Sequence, residues 1–197
     1  MLCMITESHP LDPFLPENGT VLFLGSFPPP RNRWSMDFFY PNWQNDFWRI
    51  IGLLFFEDAH RFEVKGEKRF DKAGIVAFCK EKGFGFFDSA QKVCRLKDNA
   101  SDNFLQIVEP ADVNALLMRM PLCHSIITTG GKSSEELAGI LSIDTIPEIG
   151  CGVCVNVSGR NVSWYRVPSS SRAYPMPVTG KAEIYGNVLM EVQKKNG

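Results

Sequence analysis

Three short runs of unbroken apolar residues punctuate the chain: Val21-Leu22-Phe23-Leu24 within residues 20–25, "FGFFDSA" ending its apolar part at Asp88, and "SIITT" from Ser125. Runs this short and this continuous read as strands buried on both faces. Between them the apolar positions switch to helical spacing. Phe47, Trp48, Ile50, Ile51, Leu54 and Phe55 line one helix, with Asn45 or Asp46 placed to cap it. "DKAGIVAFCKEK" opens a second helix at Asp71, which Gly83 terminates. A short helix is predicted near "ADVNALLMRM", and another over "SSEELAGIL", where Ser133 and Glu136 have capping-box spacing. "CGVCVNVSGRNVSWYRV" reads as two strands joined at Ser158-Gly159-Arg160-Asn161. "KAEIYGNVLMEVQKK" is a final helix, while Lys92 to Asn103 and "PSSSRAYPMPVTG" read as loops.

Buried strands alternating with helices predict an α/β sandwich around a central, mainly parallel sheet. No internal repeat, low-complexity tract or linker divides it, so a single domain is expected. In such folds a ligand sits beyond the carboxyl ends of the strands. That rule selects Gly25-Ser26-Phe27, Asp88-Ser89, Gly130-Gly131 and Pro168-Ser169-Ser170-Ser171 as rim segments.

Composition narrows this picture. The chain has 197 residues, 44 % of them hydrophobic, and its 15 Phe imply an aromatic-rich core. A net charge of −1 excludes a protein coated in positive field. A local basic surface is still open, because Arg31, Arg33, Arg49, Lys92, Arg95, Lys97, Arg166 and Arg172 lie beside the rim segments. The N-terminus has no basic start and no apolar run, and no window approaches the ~18 apolar residues of a membrane helix. A cytoplasmic location is expected, with the six cysteines reduced.

Several local patterns invite chemistry. "GGKSS" resembles the end of a phosphate-binding loop, but its first glycine would fall at Ile126, so a strand-to-helix turn is the better reading. Cys151 and Cys154 have knuckle spacing without a second pair, and an extended "GVCVNV" sends them to opposite faces, so no metal is expected. His9, His60 and His124 form no triad or metal-helix motif and read as surface or turn residues. The three serines at 169–171 lack a nucleophile elbow and suit an anion-holding loop. "FLGSFPPPRNRWSMDFFYPNWQNDFW" packs flat rings and prolines into a loop. Phe47 and Trp48 there belong to the core, whereas Tyr40, Trp43 and Asn45 precede the helical pattern and are divided between core and function.

Four segments in order, "GSFPPP…FFYPNWQNDFW", "GFGFFDSA", "TTGGKSSEEL" and "VPSSSRAYP", resemble the uracil-DNA glycosylase superfamily over about residues 20–190. "GSFP" at 25–28 and "NDFW" at 45–48 are similar to the hypoxanthine DNA glycosylase branch. "PSSSRA" at 168–173 is similar to the insertion loop of the mismatch-specific uracil/thymine branch. The resemblance implies a three-layer α/β/α domain that flips a deaminated or mismatched base out of DNA and hydrolyses its glycosidic bond. No cofactor or metal, a DNA partner and a monomeric state are expected with it.

Roles follow by position. The resemblance implies that Gly25, Ser26 and Phe27 form the pocket floor and that Tyr40 stacks on the base. It implies further that Asn45 takes the place of an amide associated with catalysis, which would orient the attacking water, and that Asp88 falls where the base edge is read. By the same resemblance Ser169, Ser170 and Ser171 would hold phosphates, Arg172 and Tyr174 would enter the duplex or fill the gap, and Lys132 is a further candidate phosphate contact. Two departures stand out. Phe27 occupies a position where uracil-processing branches carry a water-activating Asp or Asn, and Asn42-Trp43 replaces the usual His-Pro. Those departures favour a competing class, a non-catalytic DNA- or nucleotide-binding protein. A hydrolase of free nucleosides is a third class, for which no ribose-binding carboxylate cluster is seen.

Overall fold

The computed structural model describes residues 6–95 and 105–194. In chain order its strands are β1 (Thr6–Ser8), β2 (Val21–Gly25), β3 (Phe84–Asp88), β4 (Ala90–Arg95), β5 (Leu105–Pro110), β6 (Ser125–Thr129), β7 (Gly152–Val157) and β8 (Arg160–Val167). The helices are α1 (Phe47–Phe56), α2 (Lys72–Lys82), α3 (Val113–Arg119), α4 (Gly131–Leu141) and α5 (Val178–Lys194).

The central sheet has the order β3-β2-β6-β8-β7. Its first four strands are parallel, and β7 closes the edge as an antiparallel hairpin partner of β8. Every residue of β2 is buried, which is why its sequence is apolar without alternation. Register sorts the side chains by face. Phe23, Phe86, Ile127 and Tyr165 are cross-strand neighbours on one face. On that face Phe23 meets Phe47 of α1 (5.5 Å) and Phe84 meets Phe78 of α2 (6.0 Å), while Phe47 in turn contacts Tyr185 of α5 (6.2 Å). The opposite face carries Gly85 against the Met120 methyl group beyond α3, and Thr128, whose hydroxyl is 2.8 Å from that of Ser134 on α4. Helices on both faces of a mostly parallel sheet give the expected α/β architecture.

Caps follow the chain's polar punctuation. The Asp71 carboxylate accepts from Gly74 N at α2, and Gly83 ends that helix at φ +68°. The predicted capping box at Ser133 does not form. Gly130, at φ +100°, turns the chain earlier, so α4 begins at Gly131 and Ser133 lies within its first turn. Glu136 instead pairs with Lys132 at 2.8 Å. The final helix likewise starts at Val178, ahead of Lys181.

A second sheet, β1-β4-β5, is wholly antiparallel. It corrects the expectation of a polar loop from Lys92. Ala90–Arg95 is a strand with Val93 and Cys94 buried, and its charges Lys92 and Arg95 pair sideways with Glu109 and Glu7. Those paired charges masked the strand period. Residues 96–103 of the expected loop lie outside the described residues. Phe27 packs with Ala90, Val93 and Leu105 in a small core beneath this sheet. Among the described residues no helix is long and apolar enough to cross a membrane.

Candidate functional site

Gly25, Asp88 and Thr129 are the last residues of β2, β3 and β6, and Ser169 follows β8. Beyond these carboxyl ends lies a cavity of about 680 Å³. Its wall takes Gly25, Ser26 and Phe27 from the end of β2, and Tyr40 and Asn45 from the aromatic loop. Asp88 and the turn carrying Ser169, Ser170, Ser171, Arg172 and Tyr174 complete it. Pro28, Pro29, Pro41 and Pro175 stiffen the wall. Of the residues singled out in the sequence, Lys132 does not line the cavity, and its Nζ is engaged by Glu136. Trp43 is also absent from the wall. It packs against Phe70 (5.0 Å) and under the Arg49 guanidinium (4.6 Å).

The floor is tight. Gly25 faces Asp88 across the parallel pair, and a Cβ at Gly25 would stand 2.3 Å from Asp88 Oδ1 and 3.5 Å from the Tyr40 hydroxyl. Only glycine permits that approach. Tyr40 adopts φ +52°, a left-handed conformation that costs about 1–3 kcal/mol and persists where surroundings over-determine it. Two contacts hold it: its ring stacks on Phe47 at 3.9 Å and 3°, and its hydroxyl lies 2.8 Å from Thr129 Oγ1. Phe47 covers one face of the ring, so only the other can meet a ligand. Burial, then the charges of Tyr185 and Asp88, push the Tyr40 hydroxyl well above its ordinary range and keep it protonated.

Asp88 has an unexpected partner. His9 Nε2 lies 2.8 Å from Asp88 Oδ2, and the imidazole side chain has 0 % exposure. The surface reading of His9 is therefore corrected. β1 pairs with β4 and His9 N donates to Gln91 O, which folds the N-terminal segment under the cavity. His60 is exposed beside Glu63, as expected, whereas His124 is half-buried, bonded to Ser125 and shifted downward in pKa by burial.

The opposite wall joins two loops. Asn45 and Ser171 form an isolated bridge, and Asp46 N donates to Ser170 O at 2.9 Å. The Asn45 side-chain oxygen accepts from Phe47 N at 2.9 Å, so it also caps α1. The serine turn is anchored from below by its carbonyls: Lys181 Nζ donates to Ser171 O (2.8 Å) and the Tyr185 hydroxyl to Pro168 O (2.9 Å). Ser169 Oγ and Ser171 Oγ accept from Ser171 N and Ala173 N, which leaves each hydroxyl proton for an outside acceptor. Ser170 is buried.

Asp46 gathers three cations. Arg172 Nε lies 2.9 Å from Oδ1, Arg49 Nη1 3.7 Å from Oδ1, and Lys181 Nζ 3.7 Å from Oδ2. Arg172 is thus tethered at the rim with its side chain half exposed. Burial lowers the Lys181 pKa, an effect that Asp46 opposes. His9, Asp46, Thr129 and Lys181 escaped sequence reasoning. His9 and Asp46 lie just outside β1 and α1, and Thr129 and Lys181 within β6 and α5; nothing in the periodicity of these elements marks which end meets a cavity. Among the described residues no group of three or more His, Cys, Asp or Glu side chains is placed to hold a metal ion.

No protein-family model matches the chain, and no curated protein does. Among solved structures it is similar to a candidate uracil DNA glycosylase from Methanosarcina acetivorans, determined by solution NMR. The two share 18 % identity with a TM-score of 0.57, over 94 % of this chain and 99 % of the other. The fold is uracil-DNA glycosylase-like.

Proposed function

We propose that this chain is a monofunctional DNA glycosylase that removes a deaminated or mismatched base, hypoxanthine or uracil, and leaves an abasic site. One observation carries the reading: a single cavity at the strand ends brings Tyr40, Asn45 and Asp88 together with the Ser169–Ser171 turn. Its volume falls in the range of about 300–1,000 Å³ typical of ligand pockets. The similarity of fold to a candidate uracil DNA glycosylase points the same way.

In this reading the base leaves the stack at a cost of a few kcal/mol. Stacking on the open face of Tyr40 offsets roughly 1–3 kcal/mol of that, and Asp88 bonds the base edge. Cleavage of the carbon–nitrogen bond develops oxocarbenium character on the sugar. Asn45 holds the water that adds to the sugar carbon. The Ser169 and Ser171 hydroxyls grip backbone phosphates, and Arg172 adds positive charge at the rim. No lysine lines the cavity among the described residues, and Lys181 is buried on Ser171 O, so strand cleavage through an imine is not expected.

A non-catalytic DNA-binding protein is the second reading, favoured by Phe27, whose ring is buried and offers no group to activate water. One assay separates the two. Duplexes with hypoxanthine, with uracil, or with thymine opposite guanine are incubated with the protein and treated with alkali. Strand breaks only after alkali support the proposal. Binding without breaks on any duplex contradicts it and selects the second reading. Release of hypoxanthine from free inosine alone would select a nucleoside hydrolase.

A further inference from the structure

The two oxygens of Asp88 stand in different circumstances. Oδ2 is 2.8 Å from His9 Nε2, and Oδ1 lies against the α-carbon of Gly25 on the cavity floor. The imidazole is wedged among Phe27, Phe39 and Phe87, with ring centroids 5.2, 6.1 and 4.6 Å away. Its other nitrogen, Nδ1, is 2.8 Å from Leu11 O and 3.2 Å from Leu11 N. A ring held at both nitrogens and packed on three aromatic neighbours has one orientation.

The protonation states of this pair differ, yet they share one consequence. Either Nε2–H donates to the carboxylate, or a proton on Oδ2 is donated to Nε2. In both cases the mobile proton lies on the line between Nε2 and Oδ2, and Oδ1 presents lone pairs only. Without His9 the carboxylate loses its hydrogen bond at Oδ2 and is free to rotate, so Oδ1 is no longer held in one direction on the cavity floor.

We infer that His9 is a positioning residue that makes Asp88 a fixed acceptor, and so selects bases carrying a ring N–H at the edge it reads. The inference rests on the reading of the cavity as a base pocket. Hypoxanthine presents N1–H and uracil N3–H. Adenine and cytosine present a bare ring nitrogen there, lone pair against lone pair. A lost hydrogen bond to a charged partner corresponds to about 10- to 150-fold in rate, and sites built around such bonds discriminate more strongly still.

The test is single-turnover excision of hypoxanthine and uracil, each compared with its ring-N-methylated counterpart, by wild type, His9→Phe and His9→Gln. Phenylalanine suits the aromatic niche without the proton link, and glutamine retains an N–H donor. Wild type is expected to favour the unmethylated base at least about tenfold in kcat/KM. His9→Phe is expected to lose most of that ratio, and His9→Gln to keep it. An unchanged ratio in His9→Phe overturns the inference, as does a wild type that excises methylated and unmethylated bases equally. Should His9→Phe not fold, His9→Leu, which also lacks the link to Oδ2, is read against the same ratio. A wild type that excises neither parent base overturns the pocket reading itself.

Discussion

Asn45 does two jobs at once. Its side-chain oxygen caps α1 by accepting from Phe47 N, and the residue lines the cavity. Asn45→Ala removes both functions, with loss of the cap costing about 1 kcal/mol of stability. The expected result is a fall in turnover of about 10²-fold or more, in the range of a lost water-orienting group, with duplex affinity nearly unchanged. Single-turnover rates beside equilibrium binding would show this. Equal loss of both would make Asn45 a positioning residue. Asn45→Asp keeps a cap acceptor and separates the two roles. Gly25→Ala acts from the other side of the floor. Its Cβ would stand 2.3 Å from Asp88 Oδ1, so Asp88 must move. A loss of stability of about 1–3 kcal/mol is expected, as for overpacking, together with loss of excision. Wild-type excision by this variant would show that the floor geometry does not matter.

At the scale of elements, β2, β3 and β6 were legible because burial on both faces writes an unbroken apolar run, and β7 and β8 because the turn at Ser158–Asn161 divides two extended segments. The residues at their carboxyl ends followed from that placement. β4 was not legible, since Lys92 and Arg95 occupy it in sideways ion pairs that interrupt its alternation. His9 was hidden for a related reason: a three-residue strand, β1, carries too little periodicity to reveal that the next side chain is buried. Lys181 was unreadable because a buried lysine in a helix looks like any surface lysine until Ser171 O and Asp46 are placed beside it. Removing that lysine tests how the serine turn is held. Lys181→Met keeps the volume but leaves Ser171 O without its donor, and about 1–3 kcal/mol of stability should be lost in urea denaturation. Affinity for every duplex should fall as well, since the turn presents Ser169 and Ser171. No change in either quantity would show that the turn is self-supporting. Arg172→Ala should weaken damaged and undamaged duplexes alike and reduce the salt slope of binding by about 1.

At the scale of the whole molecule, the described residues place a cavity at the strand ends and the overall charge is near neutral, so on the proposed function DNA affinity is expected from the rim and should fall as salt rises. Core integrity has its own reporter. Burial pushes the Cys123 thiol up to about 11 and raises Cys79 as well, which keeps both as unreactive thiols at pH 8. Cys151 and Cys154 are exposed. Iodoacetamide at pH 8 should therefore modify Cys151 and Cys154 in the native protein and reach Cys79 and Cys123 only after denaturation, as read by peptide mass spectrometry. Equal labelling of all four would mean that the core is not closed. The central claim, that the cavity receives an everted base, is tested most directly by 2-aminopurine fluorescence. The probe is placed beside hypoxanthine or uracil in a duplex and read on adding protein. Wild type should raise the fluorescence as the neighbouring base leaves the stack, and Gly25→Val, which fills the floor, should bind the duplex without that rise. Tight binding by wild type with no change in fluorescence on either duplex would contradict the account.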